Sequence, residues 1–374
     1  MADWEKHSPA PADSVLNGGK EKVAAFPAFG SKEDIGAGFG VNEKALLRKL
    51  DLKLLPALTL LYLLSFLDRS NADIGQQGIA HMNGVGGLHG WRWIFILEGI
   101  LTVLVSLASY FFVANYPSTA NFLTEKERAC VHARLEASND ATRDEAFTWK
   151  NVSQALKDPK VWLYGLGFHT MSLPLYTLSL FLPTIIKDLG YTAAQAQLLT
   201  VPPYAVATIL TLTVAIASEK LKLRAPFIMG SASLAAIGYI ILLSDTKAGV
   251  SYFGTILAAA GIYPATAIVL SWPANNVSGQ TKRATANAMQ ISIGNLGAVL
   301  GTQLYRNNDG PRYFLGHGFA FGYLCANVLV VGTLWAILRS ENKKRDRGER
   351  NHRLDNIGED EWLGDEDPRW RFQT

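Results

Sequence analysis

The sequence is short of charge and of cysteine, and each shortage excludes something. Charged residues occupy 18% of the 374 positions, where soluble chains average about 25%. They are also uneven, clustering at 1–53, 115–160, 218–224, 280–283 and 339–372. The two cysteines, Cys130 and Cys325, lie far apart with no Cys-x-x-Cys. Two thiols cannot build a tetrahedral zinc site alone, so both are read as free. No Gly-rich phosphate loop ending in Lys-Ser/Thr, no His-Glu-x-x-His and no Gly-x-Ser-x-Gly elbow is present, so no enzymatic chemistry and no cofactor are expected. An ATP-driven pump would need a nucleotide domain, and no soluble stretch is long enough to form one. A net charge of +3 gives no electrostatic footprint for nucleic acid. The opening "MADWEKHSPAPADSVLNGGKEK" lacks the apolar core and cleavage site of a signal peptide. It reads as a disordered tail, which leaves targeting to the first apolar span.

Between the charged blocks lie runs of 17 to 26 residues almost free of charge. A helix needs roughly 20 apolar residues to cross about 30 Å of hydrocarbon. Eight candidate spans follow: 52–70, 93–114, 161–186, 198–217, 226–243, 252–272, 284–303 and 319–337. Eight such runs are hard to bury in water, so the fold class is an all-α membrane protein with the lipid bilayer as its solvent. Alternating the spans from a cytosolic N-terminus puts 23 Lys and Arg on cytosolic segments and six on the opposite loops. That bias sets the expected topology, multi-pass with both termini in the cytosol. The sequons at Asn151 and Asn276 then fall on the cytosolic side and stay unglycosylated. Trp91, Trp93, Trp162 and Trp272 sit at span ends, where indole favours the headgroup zone.

The loop 115–160 carries "TEKE" from Thr124 to Glu127, a capping-box pattern opening a helix to about Glu136. A second short helix, Phe147 to Leu156, puts Phe147, Trp149, Val152 and Leu156 near one side, and both helices are expected on the cytosolic face of the bundle. The tail beyond Leu338 is basic and then acidic, and reads as mostly disordered. The expected organisation is a disordered tail at 1–43, a helical region at 44–114, a cytosolic loop at 115–160, a six-helix bundle at 161–338 and a cytosolic tail at 339–374.

Small residues let membrane helices approach closely. Gly294, Gly297 and Gly301 recur in the seventh span, with Gly297 and Gly301 on one face, and the sixth carries "AAAGIYPATA". Pro174, Pro183, Pro202, Pro203 and Pro264 sit within or near span ends and are expected to kink helices. Such helices suit a protein that rocks between two shapes, and equally any tight bundle. Polar residues inside hydrocarbon are the sharper signal. Glu98 lies in the second span, His169 in the third, and Asn287, Gln290 and Asn295 in the seventh, with Asn287 and Asn295 roughly sharing a face. They read either as a polar lining or proton relay, or as interhelical hydrogen bonds. His169 is the strongest functional candidate, because an imidazole titrates near physiological pH.

Three blocks in the first third, "LDRSN", "GWRWIFILEGILTVL" and "NFLTEKERACVHARL", carry a resemblance. So do "ALKDPKVWLYGLGFH", "LFLPTIIKDLGYTAAQAQLLTVPPYA" and "GIYPATAIVLSWPANNVSGQTKRATANAMQISIGNLGAVLG" further on. Together they resemble fungal members of the major facilitator superfamily, in the anion:cation symporter branch of allantoate and nicotinate permeases. The resemblance covers about 42–353. It implies twelve helices in two six-helix bundles, with a substrate cavity between the bundles near the midplane. Against that pattern, 52–70 resembles helix one, 93–114 resembles helix six and 161–337 resembles the whole second bundle. Helices two to five have no counterpart, and the join falls near Ile74 to Ile79. About 120 residues of the pattern are absent there, including the loop between helices two and three. A weaker echo of that loop, "ASEKLKLRAP", stands at Ala217 to Pro226. Four helices are an even number, so the topology survives.

The resemblance implies a secondary active transporter, a proton-coupled symporter of a small organic anion driven by the proton gradient, at the plasma membrane. It points to His169, Tyr176, Tyr263, Asn287 and Asn295 as substrate-lining, and to Asp68 and Arg69 as a structural pair at the outer mouth, with Glu98 as a further gating candidate. Without helices two to five, self-association or association with full-length paralogues is expected. The alternatives are a non-transporting sensor or partner, and an incomplete gene model.

Overall fold

A computed structural model of the chain describes residues 38–56, 59, 82–112, 120, 122–138, 147–244, 247–354 and 363–374, and among them there is no strand. The chain divides into two compact units, Met1–Arg134 and Leu135–Thr374.

In the first unit, helix α1 covers 43–56, α2 runs Gly90–Phe112 and α3 runs Glu125–Ser138, across the boundary between units. The capping box at the start of α3 is formed: the Thr124 amide donates to Glu127 Oε2 at 2.9 Å and the Glu127 amide to Thr124 Oγ1 at 3.4 Å. The same carboxylate accepts from Lys49 Nζ of α1 at 2.8 and 3.1 Å. That bond, with the Thr124 amide, holds the Glu127 carboxyl below its usual range. Leu46, Leu123, Cys130 and Val131 are buried around this tie. Most of the first expected span, Asp68, Arg69 and the expected join lie outside the described residues. Glu98 falls within α2, with its side chain also outside the described set.

The second unit holds α4 (Trp149–Lys157), α5 (Pro159–Asp188), α6 (Ala193–Leu198), α7 (Val201–Leu221), α8 (Ala225–Leu243), α9 (Ala248–Asn276), α10 (Gln280–Gly301) and α11 (Phe314–Asp346). Local chemistry sets the boundaries. Asp158 caps α5 by accepting from the Lys160 amide at 3.0 Å, ahead of Pro159. Thr192 and Gln195 form a capping box on α6. Pro202 and Pro203 lie in the first turn of α7. They start that helix rather than kink it, because the amides proline lacks have no intrahelical partner there. Pro174, Pro183, Pro264 and Pro273 are inside helices. Gly279, at φ 86° and ψ 134°, makes the turn into α10 in a region that glycine alone enters readily.

Four stretches are long and apolar enough to cross a membrane: Ala193–Leu221, Ala225–Leu243, Ala248–Asn276 and Phe314–Asp346. In α2 the apolar part is Phe95–Ser109. Helices α5 and α10, with 30 and 22 residues, are long enough but more polar. α9 packs against α8, α7 and α5, while α5 packs against α10 and α11, and α11 closes on α8. The crossing of α8 and α9 is a contact of backbones. A Cβ on Gly238 would stand 2.5 Å from the Ala258 nitrogen and 2.6 Å from the Gly254 oxygen; one on Gly261 would meet the Ser231 oxygen and the Ala235 nitrogen. The small face of the "AAAGIYPATA" segment is thus used against α8.

At one end of this unit basic residues gather, and residues 363–374 fold back onto them. The expectation of a mostly disordered tail is corrected here. α11 runs to Asp346, and the Lys282 ammonium meets the Asp365 carboxylate at 2.7 Å. Composition alone argued for disorder; specific long-range partners hold this segment. Trp272 is corrected for the same reason. It is 1% exposed, with its indole N–H on the Gln373 carbonyl at 2.8 Å and its ring 5.3 Å from Tyr164. Trp162, in contrast, stands half exposed at the start of α5. The short helix expected at Phe147 to Leu156 forms as α4 from Trp149, and it buries Ala155 while Phe147, Trp149 and Leu156 stand exposed.

Two outcomes are expected. Gly261→Val forces α8 and α9 apart at a cost of about 1–3 kcal/mol or more, whereas Gly230→Ala, where a Cβ meets nothing, is neutral; thermal unfolding of detergent-purified protein separates them. Because the Glu127 carboxyl is held low, the α1–α3 tie contributes above the ordinary carboxylate range and is lost as pH falls through the lowered value. Amide protection in Glu125–Ser138 should drop in acid, and Glu127→Gln should remove that dependence.

Candidate functional site

The two polar long helices, α5 and α10, lie against each other through glycine. A Cβ on Gly294 would enter the Phe168 ring, one on Gly297 would stand 2.5 Å from the His169 carbonyl oxygen, and one on Gly301 would stand 2.9 Å from the Thr177 methyl. The glycine face read from the sequence is this contact.

That packing sets where the polar groups go. His169, half-buried, has its Nδ1 3.0 Å from the Ile293 carbonyl oxygen on α10 and its ring 5.7 Å from that of Tyr323 on α11. It therefore bridges three helices. Gln290 is 1% exposed and donates to the Val269 carbonyl of α9 at 2.8 Å. Asn287 is half-buried, and its Oδ1 is buried without a hydrogen-bond partner among the described residues. Asn295 is exposed. Asn287 and Asn295 do not share a wall: eight residues at 3.6 per turn leave them about 80° apart, enough to put one toward the bundle and one outside it.

A separate hydroxyl cluster joins α5, α7 and α9. Tyr263 OH lies 3.0 Å from Ser179 Oγ, and its ring meets that of Tyr204 edge-on at 5.8 Å. Tyr176 sits half-buried on α5, one turn before Ser179. The structure thus joins Tyr263 to Ser179 and Tyr204 and leaves His169 apart, on the side of α5 that faces α10 and α11.

Several polar residues escaped the sequence reading. Asn327, fully buried in α11, donates to the Gly167 carbonyl at 2.8 Å and to Thr170 Oγ1 at 2.9 Å. Its signal was present, an amide inside an apolar run. His317, 2% exposed, has its Nδ1 3.0 Å from Tyr305 OH, and nearby Tyr313 donates to Asp188 Oδ2 at 2.6 Å. Ser179 and Tyr204 had no signal, since serine and tyrosine are common in membrane helices. In "ASEKLKLRAP", Arg224 is 7% exposed and donates to Ser218 Oγ at 3.2 Å and to Glu219. Asn276 is 1% exposed, with its amide occupied by Tyr164 OH at 2.8 Å. Among the described residues no cluster of His, Cys, Asp and Glu is arranged to hold a metal, and Cys130 and Cys325 are free thiols.

The family model of the Major Facilitator Superfamily matches residues 80–302. An uncharacterized transporter of Schizosaccharomyces pombe is 34% identical over 70% of this chain and 52% of its own length. An MFS-type transporter of Penicillium expansum is 33% identical over 79% of this chain and 60% of its own. The high-affinity nicotinic acid transporter of Saccharomyces cerevisiae is 30% identical over 77% of this chain and 54% of its own. The chain spans about half to three fifths of the length of these relatives.

The site geometry ranks two kinds of substitution. His169→Phe keeps a ring beside Tyr323 and loses one interhelical hydrogen bond, worth about 0.6 kcal/mol in membrane proteins. Gly297→Leu drives a side chain into the His169 carbonyl and should cost about 1–3 kcal/mol or more. Thermal unfolding should therefore show the glycine variant as the more damaging.

Proposed function

The chain belongs to the major facilitator superfamily, and from that membership we propose that it is a shortened secondary active transporter, lacking counterparts of helices two to five, that carries a small organic anion by proton-coupled symport. The observation that carries the reading is the contrast between helices. Four stretches of the second unit are long and apolar enough to cross a membrane, while α5 and α10 are long enough to cross but carry His169, Tyr176, Asn287, Gln290 and Asn295. A helix of that length with so many polar groups is stable only where protein or an aqueous path covers them. Tyr263, with Ser179 and Tyr204, adds hydroxyl donors, and the unpartnered Asn287 Oδ1 adds an acceptor. Such groups suit a small polar anion, and the nicotinic acid transporter among the relatives supports a carboxylate of that size. His169 is the proposed proton-coupling group, by the chemistry of imidazole. The clustering of Lys and Arg supports a cytosolic basic end and cytosolic termini, and a plasma-membrane location is proposed with them.

The length of the chain relative to its relatives favours a second reading, a non-transporting partner of full-length paralogues. Uptake of labelled nicotinate and allantoate into permease-null yeast separates the two, with surface expression measured in parallel. Saturable uptake that collapses with a protonophore is expected. Tyr263→Phe and Asn287→Leu should each lower it about tenfold, the factor for about 1.4 kcal/mol of lost substrate interaction. Uptake no higher than vector from a chain present at the surface rejects transport. Co-purification with a full-length relative would then support the partner reading.

A further inference from the structure

We propose that the basic end of the second unit is a peptide-binding socket whose ligand is an irregular acidic and aromatic segment, and that the chain's own residues 363–374 occupy it reversibly. This inference does not rest on transport.

The socket reads main chain as well as side chains. Asn276 and Asn342 each clasp one residue of the segment by a pair of amide bonds. Asn276 Nδ2 donates to the Gln373 carbonyl at 2.9 Å and its Oδ1 accepts from the Gln373 amide at 2.7 Å. Asn342 Nδ2 donates to the Phe372 carbonyl at 2.8 Å and its Oδ1 accepts from the Phe372 amide at 3.0 Å. A side-chain amide paired in this way takes the place of a neighbouring strand, so it holds any residue type and fixes register. Arg345, 4% exposed, spreads its guanidinium over three more carbonyls of the segment, those of Asp365, Asp367 and Trp370, at 2.9, 3.2 and 3.0 Å. Trp272 adds a donor to the Gln373 carbonyl at 2.8 Å, and the Arg224 amide donates to the Thr374 carbonyl at 2.6 Å.

Two side chains supply selectivity. Asp365, 3% exposed, accepts from Lys282 at 2.7 and 2.9 Å and from Lys160 at 3.4 Å. Phe372, 4% exposed, lies with Lys160 Nζ and Arg345 Cζ each 4.5 Å from its ring centre. Without the segment, the ammonium of Lys282 and the guanidinium of Arg345 would keep few partners. The neighbouring Asp158 lies 3.5 Å from Lys282 and also caps α5. The ligand class is therefore an acidic residue followed seven positions later by an aromatic one, with main-chain amides free to pair between and after them. The segment finds partners on four helices, α5, α9, α10 and α11, and on Arg224 just before α8, so its occupancy determines whether these ends behave as one block.

Hydrogen exchange on the full chain in lipid nanodiscs tests the inference. A tail variant, Asp365→Asn with Phe372→Ala, changes nothing in the socket itself. It should exchange about tenfold faster than the parent at amides of 272–283 and 341–346, the order expected from losing a charge-assisted contact. A synthetic peptide of residues 363–374 should restore protection to the variant, and the same peptide carrying both substitutions should not. Lys282→Met should raise exchange and block rescue by the native peptide, while Asp365→Glu should stay close to the parent. Unchanged exchange in the tail variant overturns the proposal. So does equal rescue by the substituted peptide, or failure of the native peptide to rescue the tail variant. The measurement needs no uptake, so it stands or falls separately from the transport reading.

Discussion

Two helices in lipid approach only as closely as their facing side chains permit, and the second unit is built on removing those side chains at two crossings. At one, Gly238, Gly254 and Gly261 bring the backbones of α8 and α9 together; at the other, Gly294, Gly297 and Gly301 bring α10 onto α5. Between apolar helices in apolar solvent there is little hydrophobic drive, so association rests on close packing and a few hydrogen bonds. The glycine crossings come first, and the polar contacts are consequences of them. His169 reaches the Ile293 carbonyl because α5 and α10 are already nearly in backbone contact, while Gln290 reaches across to the Val269 carbonyl of α9.

How much of this was legible in the sequence depends on how local the cause is. The capping box at Thr124 and Glu127 is a contact between residues three apart, and it formed as read. The spans from Ala225, Ala248 and Phe314 follow from runs of apolar residues; the helix from Ala225 matches its run almost end to end, while the other two extend beyond theirs at both ends. Gly297 and Gly301 on one face needed only helical period. Pro202 and Pro203 were local too, yet misread, because proline in a first turn and proline inside a helix look alike until the helix start is known. The shared face of Asn287 and Asn295 failed by geometry, since an interval of eight is a poor match to 3.6 residues per turn.

What the sequence withheld were contacts of long separation. The segment 363–374 has the composition of a solvated tail: acidic, basic and with few aliphatics. Its order comes from Lys282, Asn276, Asn342 and Arg345, and no pattern within twelve residues announces partners that far away. The same residues explain Trp272. An indole at a span end normally reports the headgroup zone, but here a carbonyl of the returning segment takes its N–H. The basic end therefore has two layers of meaning. Its charge count speaks to membrane orientation, while individual cations, buried and paired, form a surface that recognises peptide.

Polar content alone is a weak guide to function in such a bundle, because much of it is satisfied inside its own helix. Ser172 donates to the Phe168 carbonyl, Thr177 to Leu173, Thr211 to Ala207 and Thr266 to Ile262, each at 2.7 to 2.9 Å. Each returns its hydroxyl proton to the preceding turn and presents little to a neighbour or a ligand. Asn327 and Gln290 go one step further and tie helices together. After these are set aside, what remains among the described residues includes the Tyr263–Ser179 hydroxyl pair, the Tyr239 hydroxyl, the Oδ1 atoms of Asn287 and Asn327, and the imidazole of His169. Of these, His169 already has a backbone partner at 3.0 Å across the glycine crossing. Because a carbonyl oxygen only accepts, Nδ1 carries the N–H in that contact, and the glycine crossing of α5 and α10 thereby fixes the orientation of the ring.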